Sequence, residues 1–164
     1  MCCRECSVIW LVAVNLRTGI TTGTCAAGAS KAYAVLMSSG LNICPEYVSV
    51  RNLEGREFVL RTFMENEYCG VVKYSGDDRA DITDGVHVLA RIDLLDGEGK
   101  IYFSAGDGVG TVTLPGLKVA PGEPAINPVP REMISRAVRE VIPSQSLRVT
   151  ISIPNGEELA KRTF

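Results

Sequence analysis

The fold is organised around residues 16–32, LRTGITTGTCAAGASKA, a polar turn that leads directly into a run of small residues. The turn contains three good N-cap residues: Thr21, Thr22 and Thr24. Alanine, the strongest helix former, then recurs along the chain, and Gly40 follows at a position that suits a helix C-terminus. The stretch therefore predicts a helix over about residues 24–38 that packs closely on its neighbours.

The beginning of this helix supports two interpretations. Its first backbone N–H groups have no acceptor within the helix and carry partial positive charge, so they favour an anionic ligand. A well-capped core helix packed on a sheet has the same sequence features, and most capped helices bind no ligand. The residues alone favour the core helix and leave the anion site open.

The composition is that of a folded protein with one domain. The chain has 164 residues, of which 46% are hydrophobic and 22% are charged, and this argues against disorder and against a coiled coil. The formal net charge of −2 gives no electrostatic support for binding nucleic acid. A small anionic ligand stays compatible with it, since local basic groups could bind one.

The cysteines and the histidine do not form a recognisable metal-binding pattern. The six cysteines, at positions 2, 3, 6, 25, 44 and 69, lack the paired spacing of a zinc site, and His87 is the only histidine. His87 is interpreted as a residue on the polar face of a strand. We therefore expect free thiols in a reducing cytoplasm and no protein-bound metal.

Residues 1–15 are interpreted as an N-terminal extension of unknown role, ahead of a domain that covers residues 16–164. Within the extension, residues 7–14, SVIWLVAV, form an apolar run that is shorter than the ~20 residues needed to cross a bilayer. No small-residue cleavage site follows the run, which argues against a signal peptide. We expect no membrane partner.

The periodicity of the remaining chain predicts several strands. Six segments have the alternation or the apolar runs of strands: 47–52, 56–65, 68–74, 86–95, 100–104 and 147–153. The glycine-rich turn at residues 96–99 predicts that the strand after it returns as the partner of the strand before it. Most of the strands follow one another in the manner of hairpins.

Residues 131–142 predict a second main helix, because their apolar side chains form one stripe at helical spacing. Pro130 suits the beginning of this helix and Pro143 its end. With the helix at 24–38, the pattern predicts an α+β fold: a largely antiparallel or mixed sheet with two main helices.

Residues 76–85, GDDRADITDG, contain four aspartates within eight positions. Clustered carboxylates repel one another, so a fold keeps them together in water, on a cation or for chemistry. A solvated loop is the simpler interpretation, and composition alone favours it.

Two later segments could line a pocket. Residues 106–110, GDGVG, resemble a nucleotide-binding loop in glycine content, but a strand and a turn follow where the dinucleotide-binding fold requires a helix. The glycines permit close approach of backbone to a ligand, or simply a bulged strand. Residues 115–130 carry five prolines, which suits either a stiff ligand wall or a plain surface connection.

Four segments together resemble the N-terminal half of the cobalt-precorrin-5B C(1)-methyltransferase family of anaerobic cobalamin biosynthesis. They are LRTGITTGTCAAGASKA (16–32), VVKYSGDDRADITDG (71–85), AGDGVGTVTLPGL (105–117) and PGEPAINPVPREMI (121–134). Their order and spacing make the resemblance specific, although Asp84 stands where family members usually have histidine. Family members continue beyond the position of Phe164, so the resemblance implies the N-terminal part of a longer enzyme.

The resemblance implies a transferase that moves a methyl group from S-adenosylmethionine to carbon 1 of cobalt-precorrin-5B, giving cobalt-precorrin-6A. It suggests catalytic roles, facing the sulfonium or the cobalt or accepting a proton, for Asp77, Asp78 and Asp81. It suggests substrate-binding roles for Arg17, Thr21, Thr22, Gly23, Thr24, Lys118, Glu123, Asn127 and Arg131. It suggests contact with the methyl donor for Gly106, Gly108 and Gly110. The cobalt would arrive inside the substrate.

Two other functions stay open from the sequence. One is a non-catalytic fragment that binds the tetrapyrrole without turnover. The other is an unrelated α+β domain that binds phosphate or a nucleotide through residues 106–110. The expected partner is in each case a small molecule rather than nucleic acid, and the sequence leaves open a homo-oligomer or an association with a separate C-terminal half.

Overall fold

The computed structural model describes residues 19–77, 81–116 and 118–162 and confirms the α+β class. The helices are α1 (Thr22–Ser39), α2 (Pro128–Arg139) and α3 (Gly156–Arg162). The strands are β1 (Tyr47–Arg51), β2 (Glu57–Arg61), β3 (Phe63–Glu65), β4 (Tyr68–Val72), β5 (His87–Leu95), β6 (Ile101–Ala105) and β7 (Ser146–Ser152). None of these helices is long and apolar enough to cross a membrane. The extension predicted at residues 1–15 lies outside the described residues.

Five strands form a mixed sheet in the order β3-β4-β5-β7-β6, and β1 and β2 form a separate antiparallel hairpin. Neighbouring strands in the large sheet are antiparallel except β6 and β7, which are parallel, with Ala105 opposite Ile151. Parallel neighbours need a crossover connection, which here runs from residue 106 to residue 145 and includes α2. The carboxyl ends of β6 and β7 therefore meet at one edge of the sheet, where this connection begins.

α1 confirms the first predicted helix, and its small residues explain its central position. Thr21 caps its beginning, and Gly40 ends it in the left-handed conformation, with a φ angle of 65°. Six small side chains of the helix are completely buried: Cys25, Ala27, Ala29, Ser30, Ala32 and Ala34. They allow the helix to lie close against β4, β5 and α2. Gly28 faces Leu60 of β2, whose side chain would have to shift to admit an added methyl group.

The core lies between the sheet and the two helices α1 and α2. β7 alternates as predicted, with Leu147, Val149 and Ile151 buried and the residues between them more exposed. Ile134 and Val138 of α2 are buried in the same core. Each such side chain stabilises the fold by about 1.5–3 kcal/mol when it leaves water.

The predicted bounds of the second helix, 131–142, are wrong at both ends, since α2 covers Pro128–Arg139. Asn127 is the N-cap and Pro128 is the first helical residue, a position that tolerates proline because its N–H would have no helical acceptor. Pro130 is accepted in the first turn for the same reason. After Arg139 the chain continues only as a turn.

Two strand predictions are wrong in their extent or pairing. The predicted strand 56–65 divides at Thr62 into β2 and β3, which belong to different sheets. The strand after the turn at 96–99 does not pair with β5, because β7 takes that place and β6 lies beyond it at the edge of the sheet. A glycine-rich turn is a local signal, whereas this pairing depends on buried side chains far apart in the sequence.

Candidate functional site

A cavity of about 200 Å³ lies beside the beginning of α1 and the carboxyl end of β7; we call it the α1 cavity. Its walls come from four parts of the chain and consist of Thr22, Gly23, Ala26, Val109, Ala125, Ile126, Asn127, Pro130, Ile151 and Ile153. Three residues with predicted substrate roles, Thr22, Gly23 and Asn127, therefore meet in one place. Val109, which lies between two of the predicted donor-binding glycines, lines the same cavity.

The threonines at the beginning of α1 have different roles. The Oγ1 atom of Thr21 accepts a hydrogen bond from the backbone N–H of Thr24 at 3.1 Å, and the two hydroxyl oxygens are 2.9 Å apart. Thr21 and Thr24 are thus engaged in capping, and Thr24 is buried. Thr22 and Gly23 present first-turn N–H groups that have no acceptor within the helix. Gly23 also contacts α2, because a side chain there would meet Pro130 at 3.1 Å.

The glycine-rich loop after β6 packs against the end of β7. The N–H of Gly106 donates to the carbonyl oxygen of Ile151 at 2.8 Å, and the N–H of Ile153 donates to the carbonyl oxygen of Asp107 at 2.7 Å. Gly108 has a φ angle of 68° and lies so close to Ile153 that no side chain would fit. Gly110, in contrast, has open space around it. Close packing against β7 explains why glycine is needed at positions 106 and 108. The donor-binding role of all three glycines stays a prediction.

Arg131 holds the proline-rich connection in place. Its guanidinium donates to the carbonyl oxygens of Ile126 and Pro124 at 2.8 and 3.0 Å and to the carboxylate of Glu123 at 3.1 Å. It also lies over the ring of Phe103, 5.2 Å from the ring centre. The structure brings the predicted substrate residues Arg131 and Glu123 together, but it pairs them with each other. Their roles toward a substrate stay predictions.

Two further predicted substrate residues lie on the same connection. Lys118 is exposed. Asn127 is the N-cap of α2, but its side chain makes no capping hydrogen bond, so its amide stays available at the wall of the α1 cavity. Arg17, the remaining predicted substrate residue, lies outside the described residues.

The segment after β4 connects the acidic loop to the beginning of α1. The N–H of Ile20 donates to the carbonyl oxygen of Tyr74 at 2.7 Å, and Gly19 lies so close to the backbone of Ser75 that no side chain would fit between them. On its other side, the N–H of Ser75 donates to the Oδ1 atom of Asp84 at 2.8 Å. The described residues of two motifs, 19–32 in the first and 71–77 with 81–85 in the second, therefore contact each other directly.

Asp81 is held inside this structure by several donors. Its Oδ2 atom accepts from Lys73 Nζ at 2.5 Å and from the hydroxyl of Ser75 at 2.9 Å, and its Oδ1 atom accepts from the N–H of Thr83 at 2.9 Å. Lys73, followed by Thr83, holds the pKa of Asp81 below the usual range of a carboxyl group. A carboxylate with a lowered pKa is a weak proton acceptor. The structure thus gives Asp81 a structural task, and its predicted catalytic role stays untested.

The structure gives less detail for the other two predicted catalytic residues, Asp77 and Asp78. Asp77 is exposed at the beginning of the acidic loop. Asp78 lies outside the described residues. Within the part of the chain that the structure describes, no three histidine, cysteine, aspartate or glutamate side chains converge in a way that could hold a metal ion.

A second cleft, of about 520 Å³, lies between the acidic loop, the beginning of β5 and α3, and the sequence does not predict it. We call it the His87 cleft. Its walls include an imidazole and a carboxylate in contact, since His87 Nδ1 lies 2.7 Å from Glu65 Oε2. The strand pattern alone identifies His87 only as a polar-face residue. No local signal connects it to Glu65, because the two residues belong to strands β5 and β3, which are not neighbours in the sheet.

Comparison with known proteins identifies the family. A family model described as CbiD matches residues 11–164. The chain belongs to the CbiD family. A crystal structure described as a cobalamin biosynthesis protein, CbiD from Archaeoglobus fulgidus, resembles the fold with a TM-score of 0.66 and 32% identity. The match covers 90% of this chain and 47% of that chain.

Curated relatives of this CbiD chain carry the name cobalt-precorrin-5B C(1)-methyltransferase. The protein of Desulfitobacterium hafniense (strain Y51) is 44% identical over 153 residues, which cover 90% of this chain and 39% of the relative. The protein of Prosthecochloris aestuarii (strain DSM 271 / SK 413) is 45% identical over 161 residues, which cover 92% of this chain and 43% of the relative. The chain thus spans about two fifths of the length of these relatives.

Proposed function

We propose that this CbiD chain forms the N-terminal part of an enzyme that transfers a methyl group from S-adenosylmethionine to carbon 1 of cobalt-precorrin-5B, giving cobalt-precorrin-6A in cobalamin biosynthesis. The observation that carries the proposal is the 44% identity, over 90% of this chain, to a relative with that name. Cys25, Cys44 and Cys69 are free thiols, which is compatible with action in the cytoplasm.

The α1 cavity is the proposed contact for one edge of the tetrapyrrole. Its volume of about 200 Å³ is below the ~300–1,000 Å³ of pockets that enclose a whole ligand, so it suits a single substituent of the ring. A carboxylate on that substituent would accept hydrogen bonds from the first-turn N–H groups of Thr22 and Gly23. The amide of Asn127 would donate from the opposite wall.

The methyl donor would supply an electrophilic methyl group on a sulfonium, and the residues of this chain would orient it. Methyl transfer depends mainly on holding the two reacting atoms in line at close distance. Gly110 is the proposed contact in the glycine-rich loop, since open space surrounds it while Gly106 and Gly108 face β7. The neighbouring Val109 lines the α1 cavity, which would place the donor beside the bound edge of the ring.

Calorimetric titration with cobalt-precorrin-5B tests the site. We expect saturable binding that weakens about tenfold or more in Asn127→Ala, since a hydrogen bond to a charged group is lost. The control is Asn52→Ala. The side chain of Asn52 accepts a hydrogen bond from the backbone N–H of Arg56 in the turn between β1 and β2 and does not line the α1 cavity. Equal affinities of wild type and Asn127→Ala would contradict the site, and no binding to the wild type would contradict the proposed function of this chain.

A further inference from the structure

The His87 cleft has the size and the polarity of a small-molecule site. Its volume of about 520 Å³ falls within the usual range of ligand pockets, ~300–1,000 Å³. Besides His87 and Glu65, its charged residues are Asp84 from the acidic loop and Glu158 and Arg162 from α3. Apolar side chains, including Val86 and Pro154, complete the walls.

His87 and Glu65 have the geometry of a base and the group that orients it. The Nδ1 atom of His87 lies 2.7 Å from the Oε2 atom of Glu65, and the ring of Phe63 meets the imidazole edge-on, with 4.9 Å between ring centres. An ionised carboxylate can only accept a hydrogen bond, so a neutral His87 carries its proton on Nδ1 and a lone pair on Nε2. Within residues 19–77, 81–116 and 118–162, no group hydrogen-bonds Nε2.

We propose that His87 is the proton acceptor of the methyl transfer and that Glu65 is its positioning residue, an inference that rests on the proposed function. When the methyl group leaves the sulfonium, its bond to sulfur breaks and leaves a neutral thioether. The ring supplies the electron pair of the new carbon–carbon bond and gains the positive charge. A proton lost from the ring to His87 Nε2 neutralises that charge, and the imidazolium is stabilised by the carboxylate of Glu65.

Position and hydrogen bonding favour His87 over Asp81 for this step. Asp81 is engaged with Lys73, and its pKa is lowered, so it accepts a proton poorly. The side chains of His87 and Glu65 are 44% and 34% exposed, which leaves the pair accessible from the cleft. The His87 cleft also adjoins the α1 cavity along the chain, since Ile153 lines the cavity and Pro154 lines the cleft. The two sites therefore lie at the same end of β7, and the proposal requires that the bound ring extend from one to the other.

Kinetic variants provide the first test. We expect His87→Asn to lower kcat about 10²–10⁴-fold with little change in KM, because the variant removes a proton acceptor and not a binding contact. Glu65→Gln should lower kcat less, since the imidazole loses only its charged partner. Glu67→Gln is the matched control: Glu67 lies on the same hairpin but pairs with Arg91. Wild-type kcat in His87→Asn would overturn the proposal.

A spectroscopic test separates this inference from the proposed function. Because His87 is the only histidine, its ring nitrogens are identified directly in a long-range ¹H–¹⁵N spectrum of the untagged chain. We expect the Nδ1–H tautomer in wild type, its loss in Glu65→Ala, and a shift of Nε2 when cobalt-precorrin-5B is added. An Nε2–H tautomer in wild type, or no shift with the bound tetrapyrrole, would overturn the base assignment. A wild-type chain with the expected tautomer and shift but no turnover would count against the proposed function alone.

Discussion

Lys73 and Asp81 form an ion pair of 2.5 Å in which the lysine side chain is only 8% exposed. The pair joins the end of β4 to the acidic loop, and the ammonium group also donates to the hydroxyl of Thr83. The backbone of Lys73 strengthens the same connection, because its N–H donates to Val86 and its carbonyl oxygen accepts from Gly85. Next to it, Tyr74 holds Ile20 at the beginning of α1. The ion pair thus fixes the acidic loop to the segment after β4, and the same segment contacts the beginning of α1.

Replacing Lys73 by methionine should destabilise the fold. We expect Lys73→Met to lower the free energy of unfolding by about 3 kcal/mol, the lower end of the range for breaking a buried pair, because Asp81 keeps 28% of its side chain in solvent. The double variant Lys73→Met/Asp81→Asn should recover part of the loss, since no unpaired carboxylate remains. Urea unfolding measures both, and a single variant within ~0.5 kcal/mol of wild type would contradict this role.

The ion pair also predicts how stability depends on pH. Because Lys73 keeps the pKa of Asp81 lower in the folded chain than in the unfolded chain, the folded chain binds fewer protons and its stability rises with pH. The contribution of Asp81 is present above the unfolded pKa of about 3.9 and is lost as the pH falls below it. Urea unfolding between about pH 5 and pH 3 should therefore show a shallower decline in Asp81→Asn than in wild type. The exposed Glu54 supplies a control variant, Glu54→Gln, and identical slopes for Asp81→Asn and wild type would refute the linkage.

We expect Arg131 to affect the α1 cavity indirectly, by holding the proline-rich connection that forms part of the cavity wall. Arg131→Ala should lower the free energy of unfolding by about 2–3 kcal/mol, because several hydrogen bonds of a charged group disappear together. Arg131→Lys should recover little of this stability. An ammonium group cannot lie flat over the ring of Phe103 and at the same time donate to all three acceptors that the guanidinium reaches. Thermal unfolding and limited proteolysis within residues 118–127 measure the effect. A stable Arg131→Ala variant that has lost tetrapyrrole affinity would instead support a direct anchor.

Gly108 and Gly110 form a matched pair for the glycine-rich loop. Gly108→Ala should destabilise the fold by more than 2 kcal/mol, roughly the upper part of the usual range for one substitution, because φ is positive and Ile153 leaves no room. Gly110→Ala should leave stability within ~0.5 kcal/mol of wild type, because its surroundings are open. If Gly110 contacts the methyl donor, Gly110→Ala should still weaken binding of S-adenosylmethionine in a calorimetric titration. Equal stability losses in the two variants would contradict the packing described for this loop.

Local sequence signals predicted the two main helices, α1 and α2, and most strands of the fold. Thr21, the alanines and Gly40 determine α1 through capping, propensity and a left-handed end, all of which are local properties. The alternation in β7 is equally local. The pairing of β5 with β7 was not predictable, because the turn at 96–99 favours a hairpin and nothing near it encodes the later strand. Pro128 and Pro130 both suit the beginning of a helix, and the choice between them depends on packing.

The candidate site was predictable in part. The resemblance suggested substrate-binding roles for Thr22, Gly23 and Asn127, and in the structure these three residues line one cavity. The ion-pair partners of Arg131 and Asp81 were not predictable, because a sequence gives the charge of a side chain but not the residues that it contacts in the fold. The contact between His87 and Glu65 was hidden for the same reason, because it spans two strands that are not adjacent.

The most direct test of the proposed function is to incubate the 164-residue chain with cobalt-precorrin-5B and S-adenosylmethionine labelled with ¹³C in its methyl group. We expect a tetrapyrrole product that carries one labelled methyl group on carbon 1, detected by mass spectrometry and ¹³C NMR, with loss of the signal in His87→Asn. A tetrapyrrole that binds saturably but never acquires the label would contradict methyl transfer by this chain alone and would make the chain a binding fragment.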